Sequence, residues 1–295
     1  MLKYHRPKFL CDGFIFPESP RWHRGSFYCT SIDEGTLFKI NTDGSKEVFL
    51  KIDDWLSGWA FVSPENDEVV VTSVFNRRLL RRKSKNSKIE EIADLSGIAT
   101  FGLNDLVLAE NGFIFVGSVN FEFGKVEMSK VPDSPLIRVD GSGNVSIAST
   151  ETKFANGLVV TPDGKRLIVA DSLLFLIHQW DLAENGRLSN HQTFATTPGS
   201  MPDGICMDAA GGVWIASGYG GVFRVLHGGN VTDKACMKGT GATACMLGGE
   251  DGRTLLISAS DSHDRELIAL NPSGRLFTVR VDIAGADLPG MCNQT

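Results

Sequence analysis

Residues 155–172 read ANGLVVTPDGKRLIVADS: an apolar run, a turn marked by Gly164, and a second apolar run ending in small residues. The turn and second run recur five more times, as GSFYCTS, NDEVVVTS, GFIFVGS, GGVWIAS and GRTLLISAS, starting at Gly25, Asn66, Gly112, Gly211 and Gly252. Successive markers are separated by 41 to 52 residues. A repeat of roughly 40 to 50 residues rich in short strands is typical of a β-propeller. The sequence therefore predicts an all-β protein, a six-bladed β-propeller with four-stranded blades around a central channel.

Further segments of strand type follow these hallmark strands, where the third strand of each blade is expected. They run TLFKI, LLRRKS, PLIRVD, IHQWDL, GVFRVL and ELIALN. The first residues, from Phe9 to Phe16, are predicted to pair with the last blade and close the ring, which removes an open sheet edge. No linker or low-complexity tract divides the chain, so residues 1–295 are predicted to form one domain.

Composition narrows the class of partner. The chain has 295 residues, 42% of them hydrophobic, and a mild net charge of −6, which argues against nucleic acid or an anionic membrane as a partner. The N-terminal residues MLKYHRPKFL lack the apolar run of a signal peptide, and no stretch is long enough to span a bilayer. The six cysteines show no CxxC spacing. We expect a reduced, cytoplasmic protein that acts on a small molecule.

The repeats differ at one position, seven or eight residues before the turn marker. Four copies carry an oxygen donor there: Glu18, Asn104, Asn156 and Asp203. The second and sixth copies have Gly58 and Ala244 at that offset. The first strand of each propeller blade lines the central channel, so we expect the four side chains to converge on the axis. Two carboxylates facing each other in a half-buried channel repel unless a cation lies between them.

These four positions predict one divalent metal ion. Each residue by itself is typical of a turn before a strand, but four oxygen donors at one position of the repeat indicate ligands. A set of hard oxygens without His or Cys favours Ca²⁺ first, then Mg²⁺ or Mn²⁺, and it suits Zn²⁺ less well.

Several stretches, in chain order, carry a family resemblance. FPESPRW, SIDEGTLFKI, GLNDLVLAENGFIFVGS, ANGLVVTPDGKRLIVADS, MPDGICMDAAGGVWIAS and TGATACMLGGEDGRTLLISAS together resemble the SMP-30/gluconolactonase/luciferin-regenerating-enzyme (LRE) family over nearly the whole chain. The resemblance implies a six-bladed propeller with one divalent metal in its channel. It implies that the Glu of the ESP motif, the Asn of NG and the Asp of PDG bind the metal, here Glu18, Asn156 and Asp203. The Asn of the ND motif, Asn104, would be a ligand or a substrate contact.

One position departs from the family's pattern. Sugar lactonases of the family have an Arg two residues before the ND-motif Asn, and this chain has Gly102. Apolar residues stand nearby at the predicted pocket rim, namely Trp59, Phe101, Leu103 and Phe121. Each unpaired substrate hydroxyl would cost about 1 to 3 kcal/mol. The predicted substrate is therefore less polar than gluconolactone, with Asn104, Gly102 and these aromatic residues as its contacts.

The site predicts a metal-dependent hydrolase of lactones. A bound divalent ion would polarise the lactone carbonyl, Asp203 would act as general base, and Asn104 would orient the substrate. Asp203 could instead be the nucleophile. Three alternatives stay open: a phosphotriester or other ester hydrolase, a Lewis-acid lyase or isomerase, and a non-catalytic ligand-binding propeller with structural calcium.

Other polar features are assigned ordinary roles. Asp105 is left open between a pocket and a structural position. The basic run 77–88 is expected to be a solvated hairpin. Four histidines show no HxH or HExxH spacing and are expected to be solvated: His178, His191, His227 and His263.

Overall fold

The structure is a computed structural model, and it describes residues 1–122, 125–197, 199–218 and 220–286. The strands of that part are β1 Lys3–His5, β2 Lys8–Phe14, β3 Pro17–His23, β4 Ser26–Ser31, β5 Thr36–Ile40, β6 Lys46–Lys51, β7 Leu56–Phe61, β8 Val69–Ser73, β9 Arg78–Arg82, β10 Ile89–Asp94, β11 Gly102–Leu108, β12 Ile114–Val119, β13 Leu136–Val139, β14 Val145–Ser149, β15 Ala155–Val160, β16 Arg166–Asp171, β17 Leu176–Leu182, β18 Leu188–Thr196, β19 Pro202–Met207, β20 Val213–Ser217, β21 Gly221–Val225, β22 Val231–Cys236, β23 Gly241–Gly248, β24 Thr254–Ser260 and β25 Gly274–Arg280. The α-helix α1 spans Arg265–Leu270, and two 3₁₀ turns span Ile32–Glu34 and Met128–Lys130.

The strands form six sheets, each a blade of antiparallel neighbours. Blades one to four are β3–β6, β7–β10, β11–β14 and β15–β18 in chain order. Blade five is β19–β22, with β1 added in parallel at its outer edge, and blade six is β23, β24, β25 and β2. The innermost strands β3, β7, β11, β15, β19 and β23 contact one another in that order, and β23 returns to β3. The predicted six-bladed propeller is confirmed.

The N-terminal segment closes the ring. β2 pairs antiparallel with β25, for example Phe9 with Phe277, so the first residues supply the outermost strand of the last blade. This is the closure that the sequence predicts. It joins the two ends of the repeat array by backbone hydrogen bonds, and β25 is left with no open edge.

The apolar hallmark strands are buried on both faces because each lies in the middle of a blade between two other blades. Every residue of β4, β8, β12 and β20 is buried, whereas the outer strands β6 and β10 are largely exposed. Full burial of a Val, Leu or Ile side chain contributes about 1.5 to 3 kcal/mol. The repeated apolar runs therefore form the packing surfaces between blades.

Neighbouring inner strands approach at backbone contact near the channel. A Cβ added to Gly58 would lie 2.4 Å from the backbone nitrogen of Leu106 in the next blade. One added to Gly157 would lie 2.4 Å from the backbone nitrogen of Ile205. Only glycine fits at these two positions, and this close approach brings the channel-facing residues of different blades together.

One predicted strand is wrong. The segment ELIALN, residues 266–271, is helical through Leu270, and the third strand of blade six is β25. The helix is capped by Asp264, whose carboxylate accepts hydrogen bonds from the backbone nitrogens of Glu266 and Leu267. The third strands predicted in the other five blades are confirmed as β5, β9, β13, β17 and β21.

No helix among the described residues is long and apolar enough to cross a membrane. Five cysteines have free thiols: Cys11, Cys29, Cys206, Cys236 and Cys245. The sixth, Cys292, lies outside the described residues. A cytoplasmic location and a single domain over residues 1–295 stay predictions.

Candidate metal centre

The innermost strand of every blade carries a β-bulge, and the four predicted donors lie at these bulges: Glu18, Asn104, Asn156 and Asp203. In blades two and six the bulge follows Leu56 and Ala242, so the equivalent residues are Ser57 and Thr243. The expectation that Gly58 and Ala244 occupy these positions is wrong by one residue. In these two blades the bulge position and the turn marker are separated by one residue more than in blades three, four and five. A comparison of the repeats at one constant spacing therefore selected the following residue.

Two carboxylates meet in the channel. The carboxyl groups of Glu18, from blade one, and Asp203, from blade five, are close enough in the channel for each to shift the pKa of the other. Burial raises the pKa of both carboxyl groups, and the negative charge of Asp203 raises that of Glu18 further. Such a contact requires either a proton or a cation shared by the two groups.

Glu18 is held by its own backbone. Its carboxylate accepts a hydrogen bond of 2.8 Å from the backbone nitrogen of Ser19. Ser19 has a φ of +46°, in the left-handed region, where an L residue costs about 1 to 2 kcal/mol. The indole nitrogen of Trp59 donates to the Ser19 carbonyl at 2.8 Å and stabilises this conformation. The strained turn fixes the Glu18 carboxylate at the channel.

The two amides are oriented by neighbouring blades. Asn156 lies close enough to Asp203 to lower the pKa of its carboxyl group, and its Nδ2 donates to the Ser172 hydroxyl at 3.2 Å. Asn104 accepts a hydrogen bond of 3.0 Å from the Ser57 hydroxyl, and its Nδ2 donates to the Ala155 carbonyl at 3.2 Å. Asn104 is thereby held beside the residue that precedes Asn156.

The chemistry of this donor set fits a hard divalent cation. Two carboxylates that repel each other and two neutral amides supply oxygen ligands and the charge to balance such an ion. Among the described residues, no three His, Cys, Asp or Glu side chains group as a metal site. That result agrees with a set in which half of the donors are asparagines.

Asp105, left open by the sequence, is structural. Its side chain is buried and accepts from Arg21 Nη2 at 2.9 Å, and the same nitrogen donates to the Leu106 carbonyl at 3.2 Å. Asp105 lies in the bulge of β11, and its side chain contacts Arg21 of blade one. The buried ion pair joins blades one and three behind the donors.

The rim residues are distributed differently from the prediction. Trp59 is fully buried, so its predicted place at the rim is wrong; it supports Ser19 instead. Leu103 is also buried. Phe121 is buried in a cluster that Phe101, itself partly exposed, packs against. Gly102 faces the Val74 side chain, 3.3 Å from where its Cβ would lie.

An aromatic ledge, which we define as Trp55, Phe75 and Phe101, runs from blade two to blade three. Its ring centroids are 4.8 Å apart between Trp55 and Phe75 and 5.6 Å apart between Phe75 and Phe101. Phe75 is 39% exposed. Trp55 and Phe75 are contacts that the sequence did not single out.

Two residues near the site were missed. His263 is exposed, as expected, but its Nε2 lies 3.9 Å from Asp203 Oδ2, and partial desolvation lowers its pKa. Arg265 lies within electrostatic range of Glu18 and Asp203 and lowers the pKa of both. Both come from the connection between β24 and β25, 13 residues long against 4 between β4 and β5. That extra length is the sequence signal that could have found them.

A profile described as the SMP-30/gluconolactonase/LRE-like region matches residues 16–261, which is most of the chain. This chain belongs to that family. The match begins at the strand that carries Glu18 and ends after β24, so it includes all four predicted donors. It excludes Arg265 and the closing β25.

Relatives within the SMP-30/gluconolactonase/LRE-like family differ in extent. A 6-deoxy-6-sulfogluconolactonase of Pseudomonas putida is 32% identical over 160 residues, which is 52% of this chain and 55% of that protein. Regucalcin of Gallus gallus is 25% identical over 280 residues, 91% of each chain. A solved structure of a calcium-binding protein, regucalcin from Agrobacterium tumefaciens, superposes with a TM-score of 0.82 at 20% identity and covers 99% of each chain. The structural match shows the shared fold.

Proposed function

We propose that this protein is a divalent-metal-dependent hydrolase that opens a lactone less polar than gluconolactone. The observation that carries the proposal is the interaction in the channel between the buried carboxyl group of Glu18 and the carboxyl group of Asp203, whose side chain is 14% exposed. A family relative named as a sulfogluconolactonase supports the choice of a lactone. We also propose that residues 1–295 act as one cytoplasmic domain on a small molecule, without nucleic acid or a membrane as partner.

Glu18, Asn104, Asn156 and Asp203 would hold the metal, with Ca²⁺ the best match to their oxygens and Mg²⁺, Mn²⁺ or Zn²⁺ as the other candidates. When bound, such an ion polarises a carbonyl oxygen and stabilises the negative charge that develops on it. Glu18 supplies charge and a fixed position, because its carboxylate is anchored on the Ser19 nitrogen.

The proton is handled by Asp203 in this proposal. A carboxylate oxygen of Asp203 accepts one proton of the attacking water as the water oxygen bonds to the lactone carbon and the electrons of the carbonyl double bond move to the carbonyl oxygen. When the double bond re-forms, the bond between that carbon and the ring oxygen breaks, and the ring oxygen takes the proton from Asp203 to become the hydroxyl group of the opened acid. Asn156, which lies beside the Asp203 carboxylate and lowers its pKa, orients it. Asn104 presents an amide to the substrate. The aromatic ledge receives the apolar part of the substrate, where a hydroxylated sugar ring would leave its hydroxyl groups unpaired.

A lactone panel tests the function. The chain is stripped with a chelator, and ring opening is followed by pH-stat after addition of Ca²⁺, Mg²⁺, Mn²⁺ or Zn²⁺. We expect turnover that requires a metal, prefers lactones without a sugar's set of hydroxyl groups to gluconolactone, and is lost in Asp203→Asn but kept in Asp163→Asn, an exposed turn carboxylate. Absence of ring opening with every metal and lactone would refute the proposal.

A further inference from the structure

The guanidinium of Arg265 is fixed over the channel mouth by the helix that follows it. Ile268, one turn further along α1, is buried in a cluster with Phe16 and Ile32 of blade one. The helix is therefore attached to the first blade although it belongs to the last. Arg265 stands at its first residue, next to the capping Asp264.

Two aromatic faces and one carboxylate hold the side chain. Its guanidinium carbon lies 4.5 Å from the ring centroid of Phe16 and 4.8 Å from that of Trp55. Its Nη1 donates a hydrogen bond of 3.1 Å to Asp33 Oδ2. Among the described residues, this is the hydrogen bond that the guanidinium makes. The side chain is 35% exposed. A guanidinium has five N–H donors, so most of its donors stay available at the mouth.

The positive charge of Arg265 interacts with the carboxylates of the predicted metal centre. The Arg265 charge acts on both Glu18 and Asp203, the two carboxylates of the channel. A divalent cation between Glu18 and Asp203 would neutralise them. Asp33 would then be the remaining negative partner of Arg265, joined to it through one N–H.

We propose that Arg265 binds a carboxylate group carried by the lactone substrate. The planar guanidinium fork matches a carboxylate with two parallel hydrogen bonds, and the flanking rings exclude water from its faces. The inference rests on the proposed lactonase function and sharpens its substrate class. Gly102 has no side chain that could donate a hydrogen bond to the substrate. The Arg265 guanidinium, from blade six, would supply hydrogen-bond donors in its place. Trp55 contacts the Arg265 guanidinium and also belongs to the aromatic ledge. The carboxylate and the apolar part of the substrate would therefore bind side by side.

Two lactones that differ in charge test the proposal on the metal-loaded protein: γ-butyrolactone with a γ-carboxylate, and γ-butyrolactone with a γ-methyl group. We expect the wild type to prefer the carboxylated lactone by about 10-fold or more in kcat/KM. Arg265→Gln should lose about 10- to 100-fold on that lactone, mainly through KM, and change less than about 3-fold on the methyl one. Arg265→Lys should recover part of the loss, because it keeps the charge without the fork.

The matched control is Arg280→Gln, since Arg280 pairs with Asp251 beside the turn at the other end of blade six. It should leave both lactones unchanged. Equal losses on the two lactones in Arg265→Gln would show a structural role and overturn the proposal. So would a wild-type preference for the methyl lactone.

A binding measurement separates this proposal from the proposed function. Tetrahydrofuran-2-carboxylate has the ring and the carboxylate but no ester, and its binding to Ca²⁺-loaded protein is measured by titration calorimetry. We expect binding that weakens about 10-fold or more in Arg265→Gln and is kept in Arg280→Gln. If that pattern appears while no lactone is opened, Arg265 is an anion site and the lactonase assignment fails. If lactones are opened without charge preference or carboxylate binding, the Arg265 proposal fails alone.

Discussion

Blades two and six present hydroxyls at the position where the other four present carboxylates or amides. Ser57 donates to Asn104 Oδ1 at 3.0 Å, and Thr243 donates to the Pro17 carbonyl at 2.6 Å. Each hydroxyl donates a hydrogen bond to the next blade. One acceptor is a predicted ligand, and the other is the residue before Glu18. The comparison teaches that the six equivalent positions divide into donors for a cation and supports that hold those donors.

Removing one carboxylate should have the largest effect. Glu18→Gln keeps the shape but halves the negative charge, so we expect loss of turnover of about 100-fold or more. In calorimetric melts, saturating Ca²⁺ should raise the Tm of the wild type, because binding to the folded state stabilises it, and should leave the Tm of the variant unchanged. Thr243→Val should keep most of both responses. An equal Ca²⁺ response in wild type and Glu18→Gln would contradict the division into donors and supports.

At the opposite end of β3 from Glu18, His23 should make the stability of the fold depend on pH. His23 is buried and its ring stacks on Phe61 at 3.8 Å between centroids, and burial lowers its pKa to about 4. The unfolded chain binds the proton near pH 6.5, so stability is full above that pH and falls as the pH drops toward 4. The loss attributable to His23 should reach about 3 kcal/mol.

Urea unfolding at pH 7 and pH 4 measures that loss in wild type and in His23→Gln. The difference in free energy of unfolding between the two pH values should be smaller in the variant. An identical difference in both proteins would show that His23 takes up its proton in the folded state as readily as in the unfolded chain.

Adding a methyl group where blades two and three touch should destabilise the fold. Gly58→Ala places a methyl 2.4 Å from the Leu106 backbone nitrogen, which side-chain movement cannot relieve. We expect a loss of about 2 kcal/mol in the free energy of unfolding, measured in urea. Gly97→Ala, where the added methyl meets nothing within 4 Å, is the control and should change little. Equal stabilities would show that the inner strands tolerate separation.

The smallest effect is expected at the support in blade two. Ser57→Ala removes the hydrogen bond to Asn104 Oδ1, which contributes about 1 kcal/mol. Turnover should fall about 5-fold, with metal affinity changed less than in Glu18→Gln. Ser87→Ala is the control, because it removes a hydroxyl that hydrogen-bonds Ser84 at 2.7 Å in the turn between β9 and β10. A loss as large as that of Glu18→Gln would make Ser57 a direct participant and remove the distinction between supports and donors.

Local patterns predicted the fold because each blade repeats the same short-range chemistry. The apolar runs and glycine turns of residues 155–172 and their copies fix strands and hairpins without long-range information. Closure by β2 also followed, since an unpaired edge strand had to be covered. The four donors were found as exceptions to the repeat, and their role as ligands stays a prediction.

The errors arose where neighbours in space, not in sequence, decide the outcome. A one-residue difference in path length moved the true equivalents to Ser57 and Thr243. The helix α1 replaced a predicted strand because Asp264 caps it and Ile268 finds a buried place on blade one. Trp59 looked like a rim residue because side-chain direction at a bulge does not follow simple alternation.

The sequence by itself determined a ring of six blades and four oxygen donors at one position of the repeat, because periodicity and residue type are local properties. Only the tertiary structure decided that Ser57 holds Asn104, that Thr243 holds the Pro17 carbonyl, and that Arg265 packs on Phe16. Each of these contacts joins residues from different blades. Their distances depend on how closely the inner strands pack around the axis, and no single segment of the chain contains that information.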